Sequence, residues 1–243
     1  MKARETISLL LVLGCIFITP ISTATIPEWD YCNYLHSLDI TSCDNPVTAG
    51  QPNQITIEVG ANIEVVLHVE FKGEFPWGHW TYSSCDVQVE EGLNTVSCEV
   101  NIPYKTIIEP VSSFYYYVYV TLPGDPWGSS TWGLAQTVTM APPSEVSHEE
   151  LVACMSQLKW LVDTSGLSDG VRNSLFSKLE EAGDKIDSAY ESGDMNKLLG
   201  AIGSLNAFIN ELQSDNEAAS HPDSETWKKQ AGYIIERTEI LIS

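Results

Sequence analysis

A chain of 243 residues has room for two ordinary domains once any targeting segment is set aside. Its 33 acidic side chains against 12 basic ones leave a formal charge of -21. Such a surface repels phosphate backbones and anionic bilayers, which excludes nucleic acid as a partner.

The chain opens on a targeting pattern. Lys2 and Arg4 precede an apolar run over 7–18, and Ser22-Thr23-Ala24 places small residues where a signal peptidase cuts. Residues 1–24 are therefore expected to be a signal peptide, leaving an exported protein with no stable membrane span after cleavage. Two alternatives stay open: an uncleaved anchor, since the run is near the lower limit for a bilayer, and lipidation at Cys15. Val12-Leu13-Gly14-Cys15 approaches a lipobox, although Ile16-Phe17-Ile18 follows where a polar tether belongs.

Residues 25–141 read as a disulfide-stapled β domain in which Lys72 and Lys105 are the only cations. The segment from Thr25 to Cys43 reads as an irregular arm. Period-two alternation then marks strands over 54–59, 63–71, 80–89, 94–102 and 114–122, with a last one over 132–140. The run FYYYVYVTL at 114–122 is the strongest, dense in aromatic and β-branched residues. Strands 80–89 and 94–102 are expected to form a hairpin across Glu90-Glu91-Gly92. Export permits disulfides, and short loops favour pairing Cys32 with Cys43 and Cys85 with Cys98, the latter across that hairpin. Four cysteines allow other pairings. Their spacing lacks the close pairs of a structural zinc site, so no metal is expected. Cys154, flanked at helical spacing by Leu151, Met155 and Leu158, reads as a buried free thiol.

About six or seven short strands with little helical signal imply an antiparallel sandwich. The strand rhythm resembles that of immunoglobulin-like modules of prokaryotic surface proteins, although the Cys…Trp…Cys spacing of true immunoglobulin domains is missing.

Ala141-Pro142-Pro143-Ser144 stiffens a linker over 142–146, and beyond it the apolar period changes to about 3.6. Four helical segments are expected within 147–243. Ser147 and Glu150 form a capping box for the first. The second carries Val171, Leu175, Leu179, Ala182, Ile186 and Ala189. The third carries Leu198, Ile202, Leu205, Ile209 and Leu212, and the last follows the polar loop 215–222. Short connections imply antiparallel neighbours and a small four-helix bundle. The fold class expected for the whole is thus all-β plus all-α, an immunoglobulin-like β-sandwich followed by a helical bundle.

Particular residues of the bundle carry a resemblance. Gly170, Asn173-Ser174-Leu175, Lys178-Leu179 and Ala182, then Leu205-Asn206-Ala207-Phe208-Ile209-Asn210, with Ala231 and Ile234-Ile235, are similar to the FIMAH domain. The resemblance spans roughly residues 148–243. It implies an extracellular accessory module, often joined to hydrolases or to binding and adhesion modules. It brings no catalytic residues, and Glu211-Leu212-Gln213 with the 215–222 loop departs from the commoner pattern.

Two groups of residues could carry function. Pro76-Trp77-Gly78-His79-Trp80 is nearly repeated by Pro126-Trp127-Gly128 ahead of Trp132, and exposed tryptophans in loops stack on sugar rings or aromatic partners. The competing reading is that Trp77, Trp80, Trp127 and Trp132 cap the ends of the sandwich core. An odd number of strands separates the two turns; an extra strand over 105–111, or a break near Ser84, would bring them to one end. Asn206 and Asn210, one helical turn apart, either bond backbone and fix bundle geometry or form an interaction face. No G-x-S-x-G, H-E-x-x-H or phosphate-binding loop occurs, so neither catalytic residues nor cofactors are expected.

These observations imply a non-catalytic binding protein at the cell exterior, with carbohydrate or protein as partner. The alternatives are a structural or accessory subunit of an extracellular assembly and, last, an enzyme with an unrecognised site. Oligomeric state is left open.

Overall fold

The computed structural model describes residues 34–76, 78–121 and 130–243. The expected signal peptide, Cys32, Trp77 and Trp127 lie outside them.

The first part is built on two antiparallel sheets. One has the order β1-β3-β6, from Leu35–Cys43, Pro52–Ala61 and Gly92–Asn101. The other has the order β5-β4-β7-β8, from Gly78–Val89, Val65–Phe75, Ser113–Thr121 and Ser130–Val138. A two-residue parallel bridge joins β2, Val47–Thr48, to β9, Met140–Ala141. Alternation decides what each strand buries. Leu67, Val69 and Phe71 of β4 and Tyr116, Val118 and Val120 of β7 point inward, against Ile55, Ile57 and Val59 of β3. Each fully buried side chain of this kind stabilises by about 1.5–3 kcal/mol. Both sheets share this one core.

Two expectations for this part need correction. Residues 35–43 form a paired strand, with Leu35, Leu38 and Ile40 buried. Register shifts at Leu35/Ser37 and Ile40/Ser42 break its period of two, which hid the strand from a pattern reading. Residues 80–89 and 94–102 are not hairpin partners: β5 pairs with β4, while β6 pairs with β3 from Pro52↔Asn101 to Ala61↔Gly92. The Cys85–Cys98 disulfide therefore joins the two sheets, and closing so short a loop stabilises by about 3 kcal/mol. Local alternation is the same for a hairpin and for a connection that changes sheets, so only the pairing reveals the difference. The extra strand over 105–111 that would have brought the two tryptophan turns to one end is not formed; a 3₁₀ helix, Tyr104–Ile108, stands there.

Five helices follow. They are α1, His148–Asp163; α2, Asp169–Ser192; α3, Asn196–Ser214; the short α4, Asn216–Ser220; and α5, Ser224–Ile240. α4 lies inside the expected polar loop. Asp215 caps it by accepting from the backbone N–H groups of Glu217 and Ala218. A second core gathers Leu151, Leu158, Leu175, Ile186, Leu205, Phe208, Trp227 and Ile234. Ser147 Oγ accepts from Glu150 N at 3.0 Å, giving one half of the expected capping box.

The Glu150 carboxylate does something else. It is fully buried and receives Arg237 Nε at 2.7 Å, Arg237 Nη2 at 2.9 Å and the Tyr233 hydroxyl at 2.6 Å. Arg237 Nη2 also donates to the Pro143 and Glu145 carbonyls, at 2.8 and 3.2 Å. The last helix thereby grips the first helix and the linker together. The two parts meet closely elsewhere too. Ile108, at the end of the 3₁₀ helix, is buried in the helical core, and Ile107 packs against both cores. Gln230 Nε2 donates to the Ile108 carbonyl.

Candidate binding cleft

The seam between sheets and helices opens into a cleft. Its sheet side is Phe75, Trp80, Tyr82, Lys105, Glu109 and Pro110; its helix side is Gln157, Trp160, Leu161, Thr164, Ser165 and Asp223. The volume is about 580 Å³, within the roughly 300–1,000 Å³ usual for small-molecule sites. A second hollow of about 560 Å³ adjoins it, and Lys105 and Gln157 line both.

Each wall is set by local structure. Trp80 enters β5 opposite Gly73 of β4, in the row that continues to Phe114, and its side chain is 60% exposed. Trp160 sits on α1 two residues past the buried Leu158 and two before the buried Val162. That is about half a turn off the stripe, and it leaves Trp160 57% exposed. Each wall thus presents one large, partly exposed ring to the cleft.

The floor is polar and incompletely paired. Tyr82 packs its ring against Phe71 and Phe114, at centroid distances of 6.3 and 6.1 Å, and its buried hydroxyl has no hydrogen-bond partner among the described residues. Burial, then the charge of Glu109, pushes this phenol well above its ordinary range. Glu109 follows the 3₁₀ helix, and burial raises its carboxyl above the usual value against the opposing pull of Lys105. Gln157 is only 8% exposed overall and lines the cleft from α1. The far wall is braced by His221. Its Nδ1 accepts from Asp223 N at 3.2 Å, so its Nε2 carries the proton and donates to the Ser165 carbonyl at 3.0 Å. The His221 ring stacks on Trp227 at 4.6 Å.

Other surfaces offer less. A hollow of about 720 Å³ along Asp44–Pro46 and the linker has polar and proline walls and no aromatic ring. The outer face of the four-stranded sheet carries Tyr115 and Tyr117 at a hollow of about 540 Å³ near His79. These groups are already engaged. Lys72 Nζ sits 4.9 Å from the Tyr117 ring centroid, Tyr115 Oη lies 2.7 Å from His79 Nδ1, and Tyr117 fills the space where a Cβ on Gly133 would be. Among the described residues no three His, Cys, Asp or Glu side chains converge as metal ligands would.

The expected site residues are thus dispersed. Trp132 pairs with Val120 in β8, six residues along β7 from the Trp80 row, or about 20 Å at strand rise. The strand ends Phe75 and Gly78 lie beside the start of β7, whereas Thr121 and Ser130 lie at its other end. The strand ends Phe75/Gly78 and Thr121/Ser130 therefore sit at opposite ends of this sheet. Asn206 and Asn210 are both exposed on α3, one turn apart. Phe208 between them is fully buried. Trp160, Gln157, Tyr82 and Glu109 were not foreseen. The one available signal was Trp160, an aromatic ring off the apolar stripe of its helix.

No protein-family model and no curated protein matches the sequence. Among solved structures, the sporulation control protein Spo0M from Bacillus subtilis aligns with 50% of this chain and 53% of its own, at 10% identity and a TM-score of 0.31. A β-glucosidase from Listeria innocua, in complex with gluconolactone, aligns with 43% of this chain and 16% of its own, at 14% identity and a TM-score of 0.27. DesR, a β-glucosidase from Streptomyces venezuelae in complex with D-glucose, aligns with 42% of this chain and 14% of its own, at 9% identity and a TM-score of 0.25. The chain spans about half the length of the first of these and about one-sixth of the glucosidases, and it is similar to all three only in part.

Proposed function

We propose that this chain is an exported, non-catalytic binding protein that seats its ligand in the cleft between its sheets and its helices. The observation that carries the reading is the pairing of two exposed tryptophans, Trp80 and Trp160, on opposite sides of one seam. Aromatic walls supply large contact area at low entropic cost. The Cys85–Cys98 disulfide supports an oxidising compartment outside the cytosol. In this reading the two sheets are an immunoglobulin-like sandwich and the helices a bundle of the FIMAH kind, acting as one wall of the site. Ligand screening by intrinsic fluorescence tests it. Trp80→Ala and Trp160→Ala should each abolish the quench and leave the melting temperature within about 2 °C, since exposed side chains contribute little to stability. Binding that survives the double variant removes the cleft as the seat, and turnover of the bound ligand removes the non-catalytic part.

A second reading, a subunit of an extracellular assembly, rests on the solvent-facing amides of Asn206 and Asn210. Sedimentation with its partner assembly, lost in the double alanine variant at unchanged melting temperature, would favour it.

A further inference from the structure

We infer that the cleft and the hollow beside it bind a neutral oligosaccharide, with one pyranose ring against Trp80 and Trp160, the next beside Tyr104 and Pro103, and the Gln157 amide reading hydroxyls between them. This rests on the cleft being the ligand seat and adds the chemistry of the ligand.

Charge narrows the choice first. A cationic ligand would meet Lys105, which lines both hollows, and an anionic one would meet Glu109, Glu149, Asp223 and a chain carrying a formal charge of -21. A neutral ligand is opposed by neither. Hydrogen-bonding capacity narrows it further. The Gln157 amide, on a side chain that lines both hollows, offers one acceptor and two donors. A purely apolar ligand would cover these groups without pairing them, which costs affinity. A polyhydroxyl ring answers them with groups that donate and accept alike, while its C–H faces lie on indole.

Dimensions argue for more than one ring. The two hollows are of similar size, about 580 and 560 Å³, and they share Lys105 and Gln157 at their boundary. The second hollow has its own aromatic ring in Tyr104 and polar groups in Asn101 and Ser156. Tyr104 is held in place from behind, because its ring occupies the space beside Gly50 where a side chain would otherwise stand. The seam is therefore a run of alternating aromatic and hydrogen-bonding positions, which suits a linear glycan.

The test uses the full secreted chain on an array of neutral hexose and N-acetylhexosamine oligomers, from monomers to hexamers. Sulfated glycans, choline and a set of unmodified peptides serve as other arms, and titration calorimetry follows on any hit. The expected result is binding of neutral oligomers that strengthens from one ring to two or three. Gln157→Leu should weaken it by about tenfold or more, the effect of leaving ligand hydroxyls unpaired, and Trp80→Ala should abolish it. Capture of choline, a sulfated glycan or a peptide instead, lost in Trp80→Ala, would overturn the oligosaccharide and leave the cleft standing. Binding of neutral oligomers that survives Trp80→Ala with Trp160→Ala would overturn the cleft itself. Affinity that does not change in Gln157→Leu would overturn the role of the amide, and an array with no bound member would overturn the ligand class.

Discussion

The buried pair formed by Arg237 and Glu150 is the most consequential contact in the helical part, and its removal gives a sharp prediction. The guanidinium donates twice to the carboxylate, at 2.7 and 2.9 Å, and once each to the Pro143 and Glu145 carbonyls. Both side chains are almost wholly out of water, at 7% and 0% exposure. Replacing Arg237 by leucine strands a carboxylate that keeps only the Tyr233 hydroxyl, and an uncompensated buried charge costs about 3–5 kcal/mol. At roughly 2–4 °C of melting temperature per kcal/mol for a chain of this size, the loss should be about 6–20 °C. Glu150→Leu should cost a similar amount by stranding the guanidinium. The double variant Glu150→Leu with Arg237→Leu should lose much less than the sum, because apolar groups of matched volume often replace such a pair at little cost. Urea denaturation followed by tryptophan fluorescence supplies all four corners of this cycle. An Arg237→Leu loss below about 1 kcal/mol, or single effects that simply add, would refute the coupling argued here.

Three further outcomes follow from other parts of the molecule. Glu109 has its carboxyl raised by burial, so its ionised form is disfavoured in the folded state and the stability it permits at low pH is lost as pH rises through its folded value. Glu109→Gln should therefore raise the melting temperature at neutral pH, with the gain vanishing below the ordinary value near 4.5, where both forms are neutral; an equal gain at all pH values would refute it. Cys154 is fully buried and its thiol is pushed up to about 12 by burial, ahead of the Glu150 charge. Iodoacetamide at pH 8 should therefore leave it unmodified in the folded protein and label it only in denaturant, as read by peptide mass. Gly50 has a φ of 71°, and a Cβ there would lie 2.0 Å from the Tyr104 ring. Gly50→Ala should cost about 2–4 kcal/mol from backbone strain and displacement of that ring together, against little for Gly203→Ala, whose Cβ would meet nothing.

What the amino-acid order makes legible is what depends on near neighbours. The alternation of Val65 to Phe71 and of Tyr115 to Val120 announces strands and their buried faces correctly, and the stripe from Leu175 to Ala189 does the same for α2. What it hides depends on pairing in space. The bulges of β1 scramble its period, and the choice of β3 as partner for β6 leaves no mark on either strand. Glu150 is an instructive case, because its place three residues after Ser147 reads as a capping residue, while its carboxylate answers an arginine 87 positions away. The same limit applied to the cleft. Its walls come from β4, β5, the 3₁₀ helix, α1 and the turn before α5, so no local motif could assemble it. Trp80 could be singled out because tryptophan is conspicuous; Gln157 could not, because a glutamine in a helix is ordinary until its burial is known.

The seating of Ile108 in the helical core bears on how freely this chain can be cut and recombined. A helical part grafted elsewhere from residue 147 onward would carry a socket with no plug, baring Leu and Ile side chains to solvent. A β part ending at residue 141 would hold out Ile107 and Ile108 with nothing to receive them. Whatever ancestry the two parts had as separable units, the plug now makes them a single heritable piece, and a functional transplant must carry residues 104–109 with the helices.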